Sequence, residues 1–273
     1  MTARLAHLTS RSLIRVSGPG WRDFLQGLIS NDVERLAPGD MRFAALLAPQ
    51  GRFLFDMFVL AISDGCVLDV QAAQRDALAQ RLAIYRLRAK VEISPADGAV
   101  SALWDTDAAP DGWIADPRLS GLGWRAISPS PVQGAQITDE AAYDAHRLAL
   151  GVPDPARDLV SDKTYPIEAD FDLLNGIDFK KGCYVGQETT SRMKRRGGIK
   201  SRMLPIVFDG PAPALGAEVL ANGKLRAGEV LSGGEGRAMA LLRLDRIEGA
   251  ELTVDGRAMR AERPTWMEAP DGG

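Results

Sequence analysis

From residue 203 onward the chain contains only short apolar segments, separated by glycine-containing turns. The turns are Asn222-Gly223, Gly233-Gly234 and Asp255-Gly256, and the apolar segments cover 203–208, 218–220, 224–231, 239–244 and 252–254. Short strands at this spacing are typical of a small β-barrel or a sandwich. We therefore predict a C-terminal β-barrel over 199–267, a domain boundary near Gly197-Gly198, and a frayed tail over 268–273.

Residues 1–198 have a different pattern, in which runs of strands are interrupted by single helices. Apolar patterning predicts strands over 11–17, 43–48, 52–62, 66–70, 91–94 and 100–104, and helices over 21–28, 71–90 and 139–150. This order indicates an α+β fold rather than a regular βαβ repeat.

The composition is that of a folded protein, since 45% of the 273 residues are hydrophobic and 25% are charged. The net charge of −3 argues against a general attraction to nucleic acid or to anionic membranes. Met1–Gly18 lacks the apolar core of a secretory signal, and no apolar run is long enough to span a membrane. We therefore expect a soluble cytoplasmic protein without a membrane partner.

The chain has two cysteines, Cys66 and Cys183, and two histidines, His7 and His146. These are too few for a disulfide framework, a Cys/His zinc site or a four-cysteine iron–sulfur site within one chain. We therefore expect reduced thiols and no metal site built by this chain alone.

The most informative segment is Phe179–Glu188, in which a cysteine lies close to two glycines, two lysines and a tyrosine. The nearby cations Lys180 and Lys181 would favour the thiolate form of Cys183. The glycines would let the backbone turn sharply or approach a ligand. The alternative is that Cys183 is a small buried apolar residue in a tight turn.

The segment 180–202 is strongly basic, with eight cations and the single anion Glu188. Such a cluster indicates a site for a polyanion, such as a polyglutamylated cofactor, a phosphate or RNA. The alternative is a solvated linker in front of the barrel. Tyr184 is the only aromatic residue in this segment, so a stacking platform for RNA is weakly supported.

Three other features carry weaker hypotheses. His146 is expected to be a half-buried helix residue rather than a catalytic base. Asp56 lies within the apolar run 53–58, so it either needs a partner or faces solvent by alternation. The glycines of 233–236 lack the lysine and the helix of a phosphate loop, so they predict a turn.

The segment Phe179–Glu188, with Arg192 after it, resembles the signature of the YgfZ-type folate-binding proteins. These are paralogues of the glycine-cleavage T-protein, and their mitochondrial relatives act in iron–sulfur cluster assembly. The resemblance extends to 16–33, 44–52, 147–153 and 165–172. Its most specific part is the cysteine motif.

The resemblance implies two intertwined α+β modules of the T-protein type and a C-terminal β-barrel around a central channel. It implies that the channel binds tetrahydrofolate through Tyr143, Arg147 and Glu168, and that the basic run meets a polyglutamate tail. Cys183 would be a functional thiol at the channel mouth. The other motif residues implied to bind an anion are Lys180, Lys181, Gly182, Tyr184, Gly186, Gln187, Glu188 and Arg192.

Two departures from the T-protein pattern argue against aminomethyl transfer. Phe55 stands where T-proteins carry the first of two aspartates, with Asp56 as the second, and the stretch 121–128 lacks the folate-binding glutamate. We therefore expect a monomeric accessory factor for iron–sulfur cluster assembly or repair, with reduced folate and iron–sulfur proteins as partners. The alternatives are an aminomethyltransferase and an accessory factor for tRNA modification, and whether the chain turns over a substrate stays open.

Overall fold

A computed structural model describes residues 2–195 and 197–268. The strands are β1 (Arg4–His7), β2 (Arg11–Ser17), β3 (Met41–Leu47), β4 (Phe53–Ile62), β5 (Gly65–Gln71), β6 (Glu92–Ala96), β7 (Val100–Trp104), β8 (Ile114–Ala115), β9 (Trp124–Ile127), β10 (Gln136–Thr138), β11 (Ser201–Val207), β12 (Glu218–Ala221), β13 (Leu225–Gly234), β14 (Arg237–Arg243), β15 (Leu252–Val254) and β16 (Arg257–Ala261). The helices are α1 (Trp21–Gln26), α2 (Arg75–Arg86), α3 (Glu140–Ala149), α4 (Pro155–Asp158), α5 (Gln187–Arg195) and α6 (Leu244–Ile247).

The first sheet has the order β3-β4-β5-β2-β6 and is covered on both faces. Alternate residues of β3 point to opposite sides, so Ala44 and Leu46 join the core beneath α1 and α2. Phe43 and Leu47 join a second core with Phe171. Burial on both faces explains why β3 and β4 read as nearly continuous apolar runs.

The second sheet has the order β10-β1-β7-β9-β8, and α3 packs against it. The chain starts in this sheet with β1, builds the whole first sheet with β2–β6, and then returns with β7–β10. The two α+β modules are therefore intertwined, as expected. The sequence did not predict β1, β8, β9 or β10, because each has at most four residues and no clear alternation.

Strands β11–β16 form a closed barrel in the order β11-β14-β13-β12-β15-β16. Small and branched side chains fill its interior, among them Val219, Val230 and Ala240. The predicted C-terminal barrel is confirmed. The turn expected at 233–236 is confirmed in part: 235–236 form it, whereas Gly233 and Gly234 are the last residues of β13 and pair with β14. Of the predicted tail, 269–273 lies outside the described residues.

Candidate functional site

The loop that carries Cys183, residues 178–186, connects the second core to α5. Cys183 is exposed, whereas Cys66 is buried in the first core. The interpretation of Cys183 as a packed turn residue is therefore wrong. Between Asp178 and the start of α5 the backbone forms no helix or strand, so contacts outside the loop must fix it.

Two polar anchors hold the beginning of this loop. The Lys181 ammonium donates to the carbonyl oxygens of Ile29 and Asn31, at 2.7 Å each. The Asp178 carboxylate accepts from the backbone N–H groups of Lys180 and Lys181, at 2.6 and 3.1 Å. Burial lowers the pKa of Lys181 to about 8. Lys181 thus anchors the loop, and the effect of these lysines on the thiol stays a prediction.

At the end of the loop, Gly186 packs closely against the turn between β3 and β4. Gly186 has a φ of +82°, a conformation that L side chains rarely adopt. Its Cα faces the turn between β3 and β4, where a Cβ would lie 2.6 Å from the carbonyl oxygen of Ala48. Gly182, in contrast, has no atom within 4 Å of a Cβ built on it.

Residues Gln187–Arg195 of the basic segment form helix α5, so this part is not the solvated linker of the alternative interpretation. Thr190 is buried and Met193 packs on the second core, while Gln187, Ser191 and Arg195 line a groove on the other side. Met193 is the only large apolar residue within α5, so the helix has no apolar periodicity and the sequence could not predict it. Cations near its C-terminus complement the helix dipole.

Part of the positive charge in 180–202 is neutralised internally. Arg202 binds Asp170 and Asp172 at 2.7 and 2.9 Å, and Lys194 lies 3.7 Å from Asp172. The exposed cations are Lys180, Arg192, Arg195 and Lys200, and Arg196 lies outside the described residues. Anion binding by this segment stays a prediction.

An open groove of about 1440 Å³ lies beside the cysteine loop. Lys180 and Gln187, which flank the thiol in the chain, both line it. Its walls also include the apolar side chains of Ile114, Ile177 and Phe179. The groove is therefore wide and partly apolar, and residues on either side of Cys183 in the chain line it.

Tyr143 and Arg147 line a second, inner cavity of only about 40 Å³. Asp69 lies behind it and accepts from Arg11 at 2.7 Å and from Arg125 at 2.6 Å. Burial alone would raise the pKa of Asp69, but the two guanidinium groups outweigh burial and hold the pKa below its ordinary value. A network of buried ion pairs therefore closes the cavity.

Arg147 is buried, and all its donor groups have partners. It donates to Asp144 at 2.7 Å, to Asp158 at 2.8 Å, to the Val152 carbonyl at 3.2 Å and to Ser232 of the barrel at 2.7 Å. Arg147 therefore ties α3 to α4 and to the barrel.

Tyr143 is buried as well, and its hydroxyl accepts from Arg118 at 3.2 Å. Its ring packs edge-on against Trp104, with the centroids 5.5 Å apart. Glu168 lines neither the groove nor the inner cavity, and its carboxylate accepts from the Tyr165 N–H at 3.1 Å. The structure thus brings Tyr143 and Arg147 together and leaves Glu168 apart from them.

The inner cavity does not fit a folate as its side chains stand. Ligand pockets of this type usually enclose about 300–1,000 Å³, far more than this cavity. The charged groups that line it, including Arg118 and Arg147, are already bound to carboxylates of the chain. Most of the donor groups on these two arginines are therefore engaged within the chain rather than directed at a pterin or a glutamyl carboxylate.

Asp56 also belongs to this network. It is buried, and it accepts from Arg11 at 2.8 Å and from Gln71 at 2.7 Å. The alternative that it faces solvent is therefore wrong. The sequence did not identify Asp69 or Arg125, although Asp69 lies in an apolar strand as Asp56 does.

His146 is half-buried, as expected. It stacks on Trp104, and its Nε2 lies 2.9 Å from the Gly121 carbonyl oxygen. Burial lowers the pKa of its imidazole. Within the described residues, no cluster of three or more His, Cys, Asp or Glu side chains is arranged to hold a metal ion, and no helix is long and apolar enough to cross a membrane.

Residues 200–269 match the family model of the CAF17 C-terminal beta-barrel domain. The whole chain is similar in fold to the glycine cleavage system aminomethyltransferase T from Bartonella henselae. The TM-score is 0.78 at 18% identity, with 97% of this chain and 86% of that chain covered. At this identity the likeness shows the fold alone, and it confirms the expected T-protein architecture.

Sequence relatives decide the family. The human mitochondrial iron–sulfur cluster assembly factor IBA57 is 32% identical over 278 residues, which cover 89% of this chain and 78% of the human protein. The chain belongs to the IBA57 family. The Neurospora crassa homologue is 33% identical over 264 residues, covering 85% of this chain but only 60% of its relative. The chain thus spans less than two thirds of the fungal protein.

These relatives support the expected resemblance at the level of the broad family. They contradict the expected cytoplasmic location, because the human and fungal relatives are mitochondrial proteins. That expectation depended on the lack of an apolar signal core, which mitochondrial targeting segments do not need because they are amphipathic.

Proposed function

We propose that this protein acts in iron–sulfur cluster assembly and that the Cys183 thiol is the ligand it offers to a cluster. The observation that carries the proposal is an exposed thiol on a loop fixed at both ends, by Lys181 and by Gly186. The function named for the human and Neurospora crassa relatives supports it.

One thiol cannot hold a cluster, since protein-bound clusters of two or four irons usually take about four cysteine ligands. The second cysteine, Cys66, is buried, and burial raises the pKa of its thiol to about 12. The remaining ligands therefore come from a partner protein, and the cluster is a cargo shared between the two chains.

The groove beside the loop offers this partner a place to dock. Ile114 and Phe179, which are partly exposed, supply apolar surface that a partner would bury. Lys180 and Arg195 line this groove together with Asp40 and Glu188, which favours a partner with charges of both signs at the matching positions.

The alternatives have less support. Aminomethyl transfer needs a free proton acceptor, whereas Asp56 is bound to Arg11 and Gln71, and Phe55 cannot carry a proton. An RNA-modification role lacks exposed aromatic residues for base stacking in 180–195, because Tyr184 is buried.

Folate binding stays a prediction from the resemblance, and no step of the proposal depends on it. Calorimetric titration of tetrahydrofolate into the wild type and into Arg147→Ala tests it. Binding that weakens by about 1.5–3 kcal/mol in the variant would mean that the inner cavity opens and that Arg147 makes a charged contact. The absence of binding heat to the wild type would remove folate from the site.

Cys183→Ser tests the proposed function. The substitution is nearly isosteric and exposed, so the melting temperature should stay almost unchanged. In cells that lack this protein, the variant should fail to restore the activity of iron–sulfur enzymes. Cys66→Ala is the matched control, which should restore activity if it folds. Full complementation by Cys183→Ser would overturn the proposal.

A further inference from the structure

The turn between β3 and β4, residues 48–52, contacts the cysteine loop although it lies far from it in the chain. A Cβ on Gly186 would lie 3.1 Å from Gly51 Cα, and a Cβ on Gly51 would lie 2.8 Å from Thr189 Cβ and 3.1 Å from the Gly186 carbonyl oxygen. Carbon atoms in contact normally lie about 3.5–4.0 Å apart. The two glycines therefore pack back to back, and neither position has room for a side chain.

We propose that this turn is the seat of the cysteine loop and that Gly51 is a positioning residue for the Cys183 thiol. The inference rests on the proposed function, because it explains how a lone thiol is kept pointing outward towards a cluster. Gly51 lies outside the cysteine motif, and neither the motif nor the relatives assign it a role.

The seat is itself rigid. Within the turn, Ala48 N–H donates to the Arg52 carbonyl and Gly51 N–H donates to the Ala48 carbonyl, both at 2.8 Å. The Arg52 guanidinium donates to the Asp162 carbonyl at 2.9 Å and lies 5.6 Å from the Tyr165 ring centroid. The turn therefore cannot move away from the loop without breaking these contacts.

The loop is clamped on both sides of the thiol. On one side, Lys181 is bound to two backbone carbonyls. On the other side, Gly186 rests on Gly51, and its carbonyl accepts from the Thr190 hydroxyl at 3.2 Å. Cys183 lies between these points, so only a few residues are free to move. A loop that is ordered beforehand loses less conformational entropy when its thiol binds a metal.

The test measures the second-order rate of alkylation of Cys183 by iodoacetamide in Gly51→Ala. The added methyl displaces α5 and the loop, so we expect the rate to change at least threefold while circular dichroism stays native. Gly134→Ala is the matched control: Gly134 has a similar φ of +80° but nothing within 4 Å, against +82° for Gly51. It should lose stability through backbone strain and keep the wild-type rate.

A rescue variant separates positioning from general destabilisation. Gly51→Ala/Thr189→Gly removes the contact at 2.8 Å, so its alkylation rate should return towards that of the wild type. If Gly51→Ala does not fold, Arg52→Ala replaces it, because it loosens the turn without adding a clash. A wild-type rate in whichever of these two variants folds would overturn the proposal.

A second readout separates this inference from the proposed function. Iron and sulfide are added to the protein with glutathione as the source of the other thiolates, and cluster retention is followed by visible absorption. We expect Gly51→Ala to retain cluster at least fivefold less well than the wild type, and Gly134→Ala to match the wild type. If the wild type retains no cluster, the proposed role of Cys183 as a cluster ligand fails. The alkylation rates alone then test whether the turn 48–52 positions the cysteine loop. If Gly51→Ala and the wild type have equal cluster retention and equal alkylation rates, the proposal that the turn positions the loop is refuted.

Discussion

The inner cavity and the cysteine loop are held together in different ways. Charged side chains close the inner cavity, with Asp69 between Arg11 and Arg125. Backbone carbonyls and close glycine contacts hold the cysteine loop, and its thiol stays exposed. Ion pairs within the chain already engage most of the charged groups of the cavity, whereas a loop fixed through its backbone leaves its side chain free for chemistry.

The strongest test of this difference is Asp69→Ala, which leaves two buried guanidinium groups without their shared carboxylate. Removing one member of a buried charge network costs about 4 kcal/mol of unfolding free energy. Chemical denaturation would measure the loss. The folded variant should keep the wild-type alkylation rate at Cys183, and a changed rate would mean that the two regions are coupled.

Arg147→Met should have the next largest effect. It leaves the buried Asp158 carboxylate without its guanidinium partner and removes the bond to Ser232 of the barrel. We expect about 3 kcal/mol of destabilisation, again from denaturant titration. Ser232→Ala is the control, because it removes only the barrel contact. It should cost about 1 kcal/mol, and an equal loss in both variants would contradict the assignment to Asp158.

Lys181→Met probes the cysteine loop and should cost less, about 1–2 kcal/mol at pH 7, since two hydrogen bonds from a half-exposed ammonium are lost. Its folded-state pKa of about 8 lies below the ordinary lysine pKa of 10.5, so the unfolded chain binds more protons between these values. The wild type should therefore gain stability relative to Lys181→Met from about pH 8 to 10.5. Thermal melts at several pH values measure the sign, and an opposite trend would refute the lowered pKa.

Asp170→Asn should have the smallest effect and tests the ion pair of Arg202, which lies outside both regions. Burial raises the pKa of Asp170 well above 3.8, and its Oδ2 has no hydrogen-bond partner among the described residues. The contribution of this carboxyl to stability is present below pH 3.8 and is lost as the pH rises through the folded-state pKa. We expect the variant to cost under about 1 kcal/mol at pH 7 and to remove this part of the pH dependence. Asp172→Asn is the control, and it should lower the free energy of unfolding at pH 7 by more than Asp170→Asn does.

Much of the fold was predictable because its signals are local. Alternation along one strand and turn dipeptides predicted β2, β7 and β15 at the bounds that the structure has, and predicted the barrel as a whole. Helix α5 was not predictable, because tertiary packing of Thr190 and Met193 rather than an apolar stripe stabilises it.

The candidate site was predictable only in part. The motif identified Cys183, since glycines and lysines around a thiol are a local signal. The Asp69 network joins residues far apart in the chain, so its pairing was not visible in the sequence. A carboxylate within an apolar strand indicates a buried partner. This indication was applied to Asp56 and overlooked for Asp69, which lies in a similar strand.

The burial of Cys66 has a consequence for oxidation. Its thiol is out of reach, so Cys183 is the only described sulfhydryl that an oxidant or a second molecule can attack. A disulfide at Cys183 therefore joins two protein molecules or adds a small thiol such as glutathione, and never forms within the chain. Either product blocks the sulfur and is reversed by thiol exchange. Oxidative conditions would thus remove the free-thiol form of the protein through this one sulfur.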